Sequence, residues 1–402
     1  NDIRDYLVDT DTGRIRGCRP LTGVYWGESY PDMGMGFVLG VSNTYNICGD
    51  DEWLRSMKKT CEDGLDYILN NYCDPYTYLV KNSDPDQSIS EWKNDYWQIA
   101  SGEYNGYLTA LLYNTLVNWT ELERNVLNDA GKAASYENIA GIVKAYLNLD
   151  FSKGGLWSPA TNSVINGTGD LDVRFLPVQA QALKEDLLSR DRKIALVNGI
   201  EEEVLAHNVE CHPHNIYSYF NPGEISKYQK SKQEGGWFGC SDGDFYAGFP
   251  AINDRTKIPF YIGAFLNRVY DGFFGASAWE RTMYNGSNEL WFPTNMMPAW
   301  GLYHYGYGFQ PAYNELVLAP FISENMVGSV VNYTWRGQPI TVTYDSQKKF
   351  TINAPGLPTD IRIRWLNQEP GASYTVNADG TDREITADAD GNVDILMTSP
   401  GS

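Results

Sequence analysis

Over the first 310 residues apolar side chains recur at helical spacing, and over the last ninety they alternate with polar ones, the period of a strand. Met33 to Ile47 keeps an apolar face and stops at Cys48-Gly49. Asp50 or Asp51 can then cap a second helix through Leu54, Met57, Cys61, Leu65, Ile68 and Leu69, giving an αα-hairpin with a tight connection. A second hairpin follows: Tyr104 to Leu122 sets Tyr107, Leu108, Leu111, Leu112, Thr115 and Leu116 on one broad stripe. Asn128 to Leu149 returns with Ala134, Ile139, Val143, Tyr146 and Leu147. A third hairpin reads from Asp172 to Leu188 and Arg192 to Ala206, and a further helix runs from about Ile258 to Val269.

From Glu315 the pattern changes. Leu316-Val-Leu318, Ser329 to Trp335, Ile340 to Tyr344, Lys349 to Ile352, Ile361 to Trp365 and Tyr374 to Val376 are rich in β-branched and aromatic residues. Arg336-Gly337, Asp379-Gly380 and Asp390-Gly391 punctuate them as turns. The prediction is a toroid of αα-hairpins over 1–310, with helix ends and long loops around a pocket, and a small antiparallel β-domain over 311–402.

Composition removes several function classes. Lysine and arginine number 31 against 51 aspartates and glutamates, a formal charge of −20 over 402 residues, and so acidic a surface repels phosphate backbones. Nucleic acid is therefore not an expected partner. No apolar run approaches the roughly 20 residues a membrane span needs. The start, Asn-Asp-Ile-Arg-Asp, has neither a basic nor an apolar leader segment, so any signal peptide is expected to be gone already. Asn118-Trp-Thr, Asn166-Gly-Thr, Asn285-Gly-Ser and Asn332-Tyr-Thr are glycosylation sequons. The six cysteines (Cys18, Cys48, Cys61, Cys73, Cys211, Cys240) contain no C-x-x-C pair; disulfides are favoured over buried free thiols, and with the sequons they point to a secreted protein.

The loops between the helices are dense in indoles and carboxylates: Trp26-Gly-Glu28, Glu91-Trp-Lys-Asn-Asp-Tyr-Trp97, Gly235-Gly-Trp237, Ser277-Ala-Trp-Glu280 and Asn288-Glu-Leu-Trp291. Aromatic faces pack on the C–H surfaces of sugars, while carboxylates take up hydroxyls and move protons. The plain alternative is core tryptophan beside solvated acid, and five such pairs at predicted helix ends weigh against it. Glycosidic cleavage needs two carboxyl groups, about 6.5–9.5 Å apart in inverting enzymes and about 5 Å in retaining ones. Asp95, between Trp92 and Trp97, and Glu280, after Trp279, sit where neighbouring aromatics would raise an acid's pKa.

At this point the chain resembles the six-hairpin (α/α)6-barrel glycosidases. Glu91-Trp-Lys-Asn-Asp95 with Gly102-Glu-Tyr-Asn-Gly106 and the helix to Leu116 is similar to the cellobiose-phosphorylase-like group. A Trp-Asn-Asp motif there supplies the general acid, which the resemblance carries to Asp95, with Lys93 interposed. Gly275-Ala-Ser-Ala-Trp-Glu-Arg281 is similar to the α-L-rhamnosidase group, whose Trp-Glu motif holds the base that activates water, and Glu280 takes that role, with Ser277 for the usual Thr. Trp26-Gly-Glu28 resembles a sugar-contacting Trp-Gly-Asp of the same group. Tyr307 to Pro311, Leu318-Ala-Pro320 and Tyr333 to Gly337 look like the β-sandwich that closes both groups. The implied fold is mainly α, a six-hairpin toroid followed by an antiparallel β-sandwich.

The implied function is inverting glycoside hydrolysis of an oligo- or polysaccharide, with Glu280 as base and Asp95 as acid. Trp26, Glu28, Trp92, Trp237 and Trp279 line the sugar subsites, with Glu103 and Glu289 as further carboxylates. No cofactor is expected. About four hairpins are legible against six in the resemblance, and this leaves three readings: an N-terminal segment removed or held by a companion chain, an acid within this chain, or a relative that has lost one carboxylate. An inverting disaccharide phosphorylase and a non-catalytic glycan-binding or structural glycoprotein stay open as alternatives. His207, Cys211, His212 and His214 hint at a metal but read better as a turn, as does Asp388 to Asp394, which lacks the Gly and closing Glu of a calcium loop. No Gly-x-Ser-x-Gly elbow suggests an esterase.

Overall fold

The computed structural model describes residues 8–9, 11–15, 18–19, 24–25, 31–82, 102–169, 173–206, 218–219, 236–237, 242–270, 281–282, 292–356, 360–378 and 380–397. The chain divides into two compact units. The first holds Asn1–Tyr45, Asp50–Leu188 and Tyr217–Gly235; the second holds Asn46–Gly49, Ser189–Ile216 and Gly236–Ser402.

In the first unit, α1 (Pro31–Cys48) leads through Gly49-Asp50 into α2 (Asp51–Asn71). Asp50 is the N-cap, its carboxylate accepting the Trp53 N–H at 2.9 Å, as the sequence predicts. Leu54, Met57, Cys61, Leu65 and Ile68 face inward at helical spacing. The next hairpin is α3 (Gly106–Asn125), capped by Asn105, and α4 (Ala130–Asn148), capped by Asp129. Here the expected stripe is too narrow. Helix α3 is buried on nearly every side, from Leu108, Leu112 and Leu116 round to Thr109, Asn114, Thr115 and Glu123. On α4, Ala133 and Tyr136 face the core in place of Ala134, which is exposed. The third hairpin departs further. Its first helix shortens to α5 (Leu176–Leu183), begun by Pro177, and its second, α6 (Arg190–Ala206), belongs to the other unit.

The second unit also contains α7 (Lys257–Tyr270) and α8 (Phe292–Gly301), the latter running into a π-helical turn at Leu302–Gly306. The sequence pattern did not predict α8, because Pro298 inside it removes a helix donor and reads as a breaker. Short two-residue ladders pair β1 (Cys18–Arg19) with β2 (Val24–Tyr25), β3 (Trp157–Ser158) with β4 (Ser163–Val164), β5 (Val173–Arg174) with β6 (Ser218–Tyr219), and β7 (Gly236–Trp237) with β8 (Arg281–Thr282).

Strands begin in earnest at β9 (Phe309–Pro311), where the sequence placed the change. The remaining strands are β10 (Leu316–Leu318), β11 (Val330–Trp335), β12 (Gln338–Ser346), β13 (Lys349–Asn353), β14 (Ile361–Trp365), β15 (Ser373–Ala378), β16 (Thr381–Thr386) and β17 (Val393–Met397). They form a four-stranded sheet ordered β17-β14-β10-β9, a three-stranded sheet β11-β12-β13 and the ribbon β15-β16. The expectation of antiparallel pairing has one exception: β10 and β14 run parallel, Leu316 opposite Ile361. A parallel pair needs a long crossover, and β11–β13 is that crossover. Arg336 (φ 50°) and Gly337 (φ 73°) make the two-residue turn between β11 and β12.

Alternate residues of these strands point inward: Leu316 and Leu318, Val331 and Trp335, Ile340, Val342 and Tyr344, Ile361 and Ile363, and Ile395. Trp335 is fully buried, and its indole N–H donates to Asn46 O at 2.7 Å. Within the second unit the chain changes from helix to strand near residue 309 while its packing continues. Arg255, just before α7, lies 4.7 Å over the Phe321 ring, and Gly306 packs near Met326, so helical and strand segments share one core.

Trp335→Ala should therefore destabilise the second unit by about 3–5 kcal/mol, since it empties the space of a whole indole and leaves Asn46 O without its donor. Chemical denaturation followed by circular dichroism checks this; a loss under about 1 kcal/mol would place the core elsewhere.

Candidate functional site

Of the residues singled out in the sequence, Trp26, Glu28, Trp92, Asp95, Trp279, Glu280, Glu289 and Asn285 lie outside the described residues, as do His207, Cys211, His212 and His214. What is described is some of the chain adjacent to them in sequence, taken unit by unit.

In the first unit, Gly102-Glu-Tyr-Asn-Gly106 is clamped on two sides. Asn82 N donates to Glu103 O at 2.9 Å, Asn82 Nδ2 to Gly102 O at 2.8 Å, and Asn105 N to Val80 O at 2.9 Å. From the other side, Thr168 Oγ1 accepts the Glu103 N–H at 2.6 Å, and Gly106 N donates to Asn166 O at 2.8 Å. Asn105 is completely buried; its Oδ1 caps Leu108 N at 2.9 Å while its Nδ2 donates to Asn82 Oδ1 at 3.0 Å. Gly106 has no alternative residue here, because a Cβ would fall 1.9 Å from Ile165 O. Residues 102–106, which follow the segment that carries Asp95 in the sequence, thus form a fixed corner at the N-terminal end of α3.

Glu103 is exposed at that corner. The neighbouring Tyr104 hydroxyl lies 3.4 Å from Asp74, and its pKa is pushed up to about 12, by burial first and then by the negative charges of Asp74 and Glu103. Asp74, which the sequence reading missed, is held as a carboxylate despite burial by the N–H groups of Thr77 and Tyr76. The exposed Glu103 carboxylate offers an acceptor for hydroxyl groups, while the Tyr104 O–H is directed at Asp74.

In the second unit, the β7–β8 ladder sets Trp237 directly opposite Arg281, the residue that follows Glu280 in the chain. Two predicted site segments far apart in sequence are thereby cross-strand neighbours. At the end of α8, Trp300 stacks on His304 with ring centroids 4.7 Å apart and planes 15° from parallel, and Tyr305 meets the Trp300 ring edge-on at 5.6 Å. Trp300 and Tyr303 are partly open to solvent. Sequence reasoning missed this aromatic group; the run from Trp300 to Phe309, with four further aromatic or imidazole rings between Gly301 and Gly308, was its signal.

One carboxylate cluster among the described residues has the geometry for a cation: Glu62, Glu123 and Asp129. Lys58 already fills it. Its Nζ lies 2.8 Å from Glu62, 2.9 Å from Asp129 and 3.2 Å from Glu123. Burial alone would lower the Lys58 pKa, but the three carboxylates outweigh it and hold the ammonium charged. Glu123 is wholly buried, neither of its oxygens makes a well-directed hydrogen bond, and burial raises its pKa to about 7 against the pull of Lys58. Asp388 likewise spends its carboxylate on its own loop, accepting Asp390 N at 2.9 Å and Asn392 N at 2.8 Å, which makes that segment a charged turn.

The cysteine expectation is corrected where it can be seen. Cys48, Cys61 and Cys73 are free thiols; Cys61 and Cys73 are buried, and burial raises both pKa values, that of Cys73 to about 12. Among the sequons, Asn332 is exposed on β11 and Asn118 is half-buried, its amide bonded to Asn114 O at 2.9 Å, while Asn166 is 2% exposed and has no room for a glycan in the folded chain.

No family model matches the sequence, and no curated protein does. Solved structures do. A sialidase superposes with a TM-score of 0.60 at 12% identity, over 91% of this chain and 33% of its own. An α-L-rhamnosidase from Dictyoglomus thermophilum gives 0.55 at 13% identity, over 99% of this chain and 42% of its own. A Klebsiella oxytoca rhamnosidase, solved with rhamnose bound, gives 0.53 at 16%, over 73% and 51%. The chain spans a third to a half of these proteins. The likeness shows the fold: mainly helical, of the (α/α)-barrel glycosidase type, with a β domain.

Two outcomes follow. Glu123 has a folded pKa above its ordinary 4.5, so the folded state binds the extra proton and stability falls as pH rises through about 4.5 to 7. Glu123→Gln should flatten that fall by up to about 3 kcal/mol, read as thermal midpoints between pH 4.5 and 8. Gly106→Ala should lower the midpoint at every pH, because backbone, not a movable side chain, blocks the added methyl group; an unchanged midpoint would contradict the clamp.

Proposed function

We propose that this chain is the barrel and β portion of an inverting glycoside hydrolase, with Glu280 as the base that activates water and Asp95 as the acid that protonates the leaving oxygen. The observation that carries the reading is the register of β7 and β8, which seats Trp237 beside the strand that Trp279-Glu280 leads into, on a fold shared with rhamnosidases. Trp26, Glu28, Trp92 and Trp279 complete the subsites, and Glu289 and the exposed Glu103 hold hydroxyls. The substrate is an oligo- or polysaccharide. The protein acts outside the cell and carries a glycan at Asn332.

In an inverting mechanism water attacks the anomeric carbon from the face opposite the leaving group. Glu280 takes a proton from that water while Asp95 gives one to the departing oxygen, so the two carboxyl groups exchange protonation states in one turnover. Each must therefore start in a different state, and that demands different surroundings.

Glu280→Gln and Asp95→Asn, made separately and assayed on a panel of aryl glycosides, should each lose at least about 10²-fold in kcat with the circular dichroism spectrum unchanged. Proton NMR of the first product should show the inverted anomer. Wild-type rates in both variants, or turnover that requires phosphate, would reject the assignment.

A further inference from the structure

The second unit contains a cleft that the hydrolytic site does not use. It has a volume of about 540 Å³, within the range of small-ligand sites, and opens between β13, β14 and β15 with Arg255 at one end. Phe350 and Trp365 line it with ring centroids 5.8 Å apart and planes tilted by 35°. Tyr374 adds a third ring, fixed in place because its hydroxyl accepts the Glu369 N–H at 2.9 Å. Gln347 and Gln368 also line the cleft.

The lining of the cleft holds three cations, Arg255, Lys348 and Lys349, and no carboxylate among the described residues. In a chain of 51 acids against 31 bases, some cations are taken up by nearby carboxylates. Arg362 and Arg364 on β14 follow that pattern, bound to Glu315 at 2.9 Å and Asp394 at 2.7 Å. Lys348 and Arg255 do not. Lys348 is exposed at the β12–β13 turn, with no carboxylate against its ammonium among the described residues. Arg255 is half-buried, and among the described residues its guanidinium meets Ile322 O at 3.5 Å and the face of Phe321 but no carboxylate. Lys349 beside them is partly met by Asp345 at 3.6 Å. Two uncompensated cations at a cleft walled by aromatic rings call for a ligand with a flat apolar face and a negative charge.

We propose that this cleft binds an acidic saccharide, a uronate-bearing oligosaccharide whose carboxylate meets Lys348 and Arg255 while a ring stacks on Trp365. The amides of Gln347 and Gln368 then meet its hydroxyl groups. The choice of a saccharide rests on the hydrolase reading above; the choice of an anion does not. Such a site would hold a charged stretch of polymer away from the catalytic carboxylates, which attract no anion themselves.

The test is calorimetric titration of the full chain with trigalacturonate, with maltotriose as the neutral arm and adenosine monophosphate as the other anionic ring. Trigalacturonate should bind at least tenfold more tightly than maltotriose, and the preference should shrink between 20 and 200 mM salt. Lys348→Glu should abolish that binding and Lys348→Arg should restore it; as Lys348 is an exposed turn residue, neither change threatens the fold. Equal binding of maltotriose overturns the anion, tighter binding of adenosine monophosphate overturns the saccharide, and no binding of trigalacturonate at millimolar concentration overturns the site. Turnover of neutral aryl glycosides by the same variants, expected to be unchanged, reports on the hydrolase reading separately.

Discussion

Helix α3 is buried on nearly every side, and the first unit is organised by what that burial demands. A helix sealed from water gains from each partner its polar groups find, and this one finds many, though Trp119 Nε1 and Thr120 Oγ1 have no hydrogen bond among the described residues. Thr109 and Thr115 turn their hydroxyls back to the carbonyls of Asn105 and Leu111, at 2.6 and 2.8 Å. Asn114 donates to the backbone and side chain of Gln181 on α5, at 3.0 and 3.1 Å. Glu123, the one buried carboxylate of the helix, draws Lys58 across from α2. This nearly enclosed helix thus packs against α2, α4 and α5, and its first turn anchors the corner at Gly102–Gly106.

Local chemistry made much of this fold legible. Asp50 before a helical run is a cap whatever the tertiary context, and Arg336-Gly337 between two alternating runs is a hairpin turn. Both depend on a few adjacent residues. What escaped depends on partners distant in the chain. The sequence shows a stripe on α3 because its polar positions look solvent-facing; only the neighbouring helices reveal that Thr109 and Asn114 are enclosed. Likewise α8 survives Pro298 because tertiary packing outweighs propensity, and the helical hairpin expected after Asp172 fails because α6 packs elsewhere.

The site divides along the same line. Aromatic and acidic residues clustered at helix ends are visible as motifs, and so is their kinship with barrel glycosidases. That Trp237 lies opposite Arg281 is not visible, since a two-residue ladder carries too little β-branched or turn signal to mark its register. Nor could composition reveal that Lys58 closes the acid cluster of Glu62, Glu123 and Asp129: the lysine stands four residues before one acid and far from the other two. Unpaired Lys348 and Arg255 are equally silent in sequence, where every cation of an acidic protein looks satisfied.

The parallel pairing of β10 with β14 has a bearing on how the molecule is made. As the chain emerges from the ribosome, β11, β12 and β13 can zip onto one another at once, whereas β10 waits with one edge open until β14 arrives, and β14 waits in turn for β17. The sheet is therefore completed only when β17, the last of its strands along the sequence, has been made. A chain cut short before Met397 would keep a bare strand edge, the kind of surface that recruits other nascent chains into aggregates.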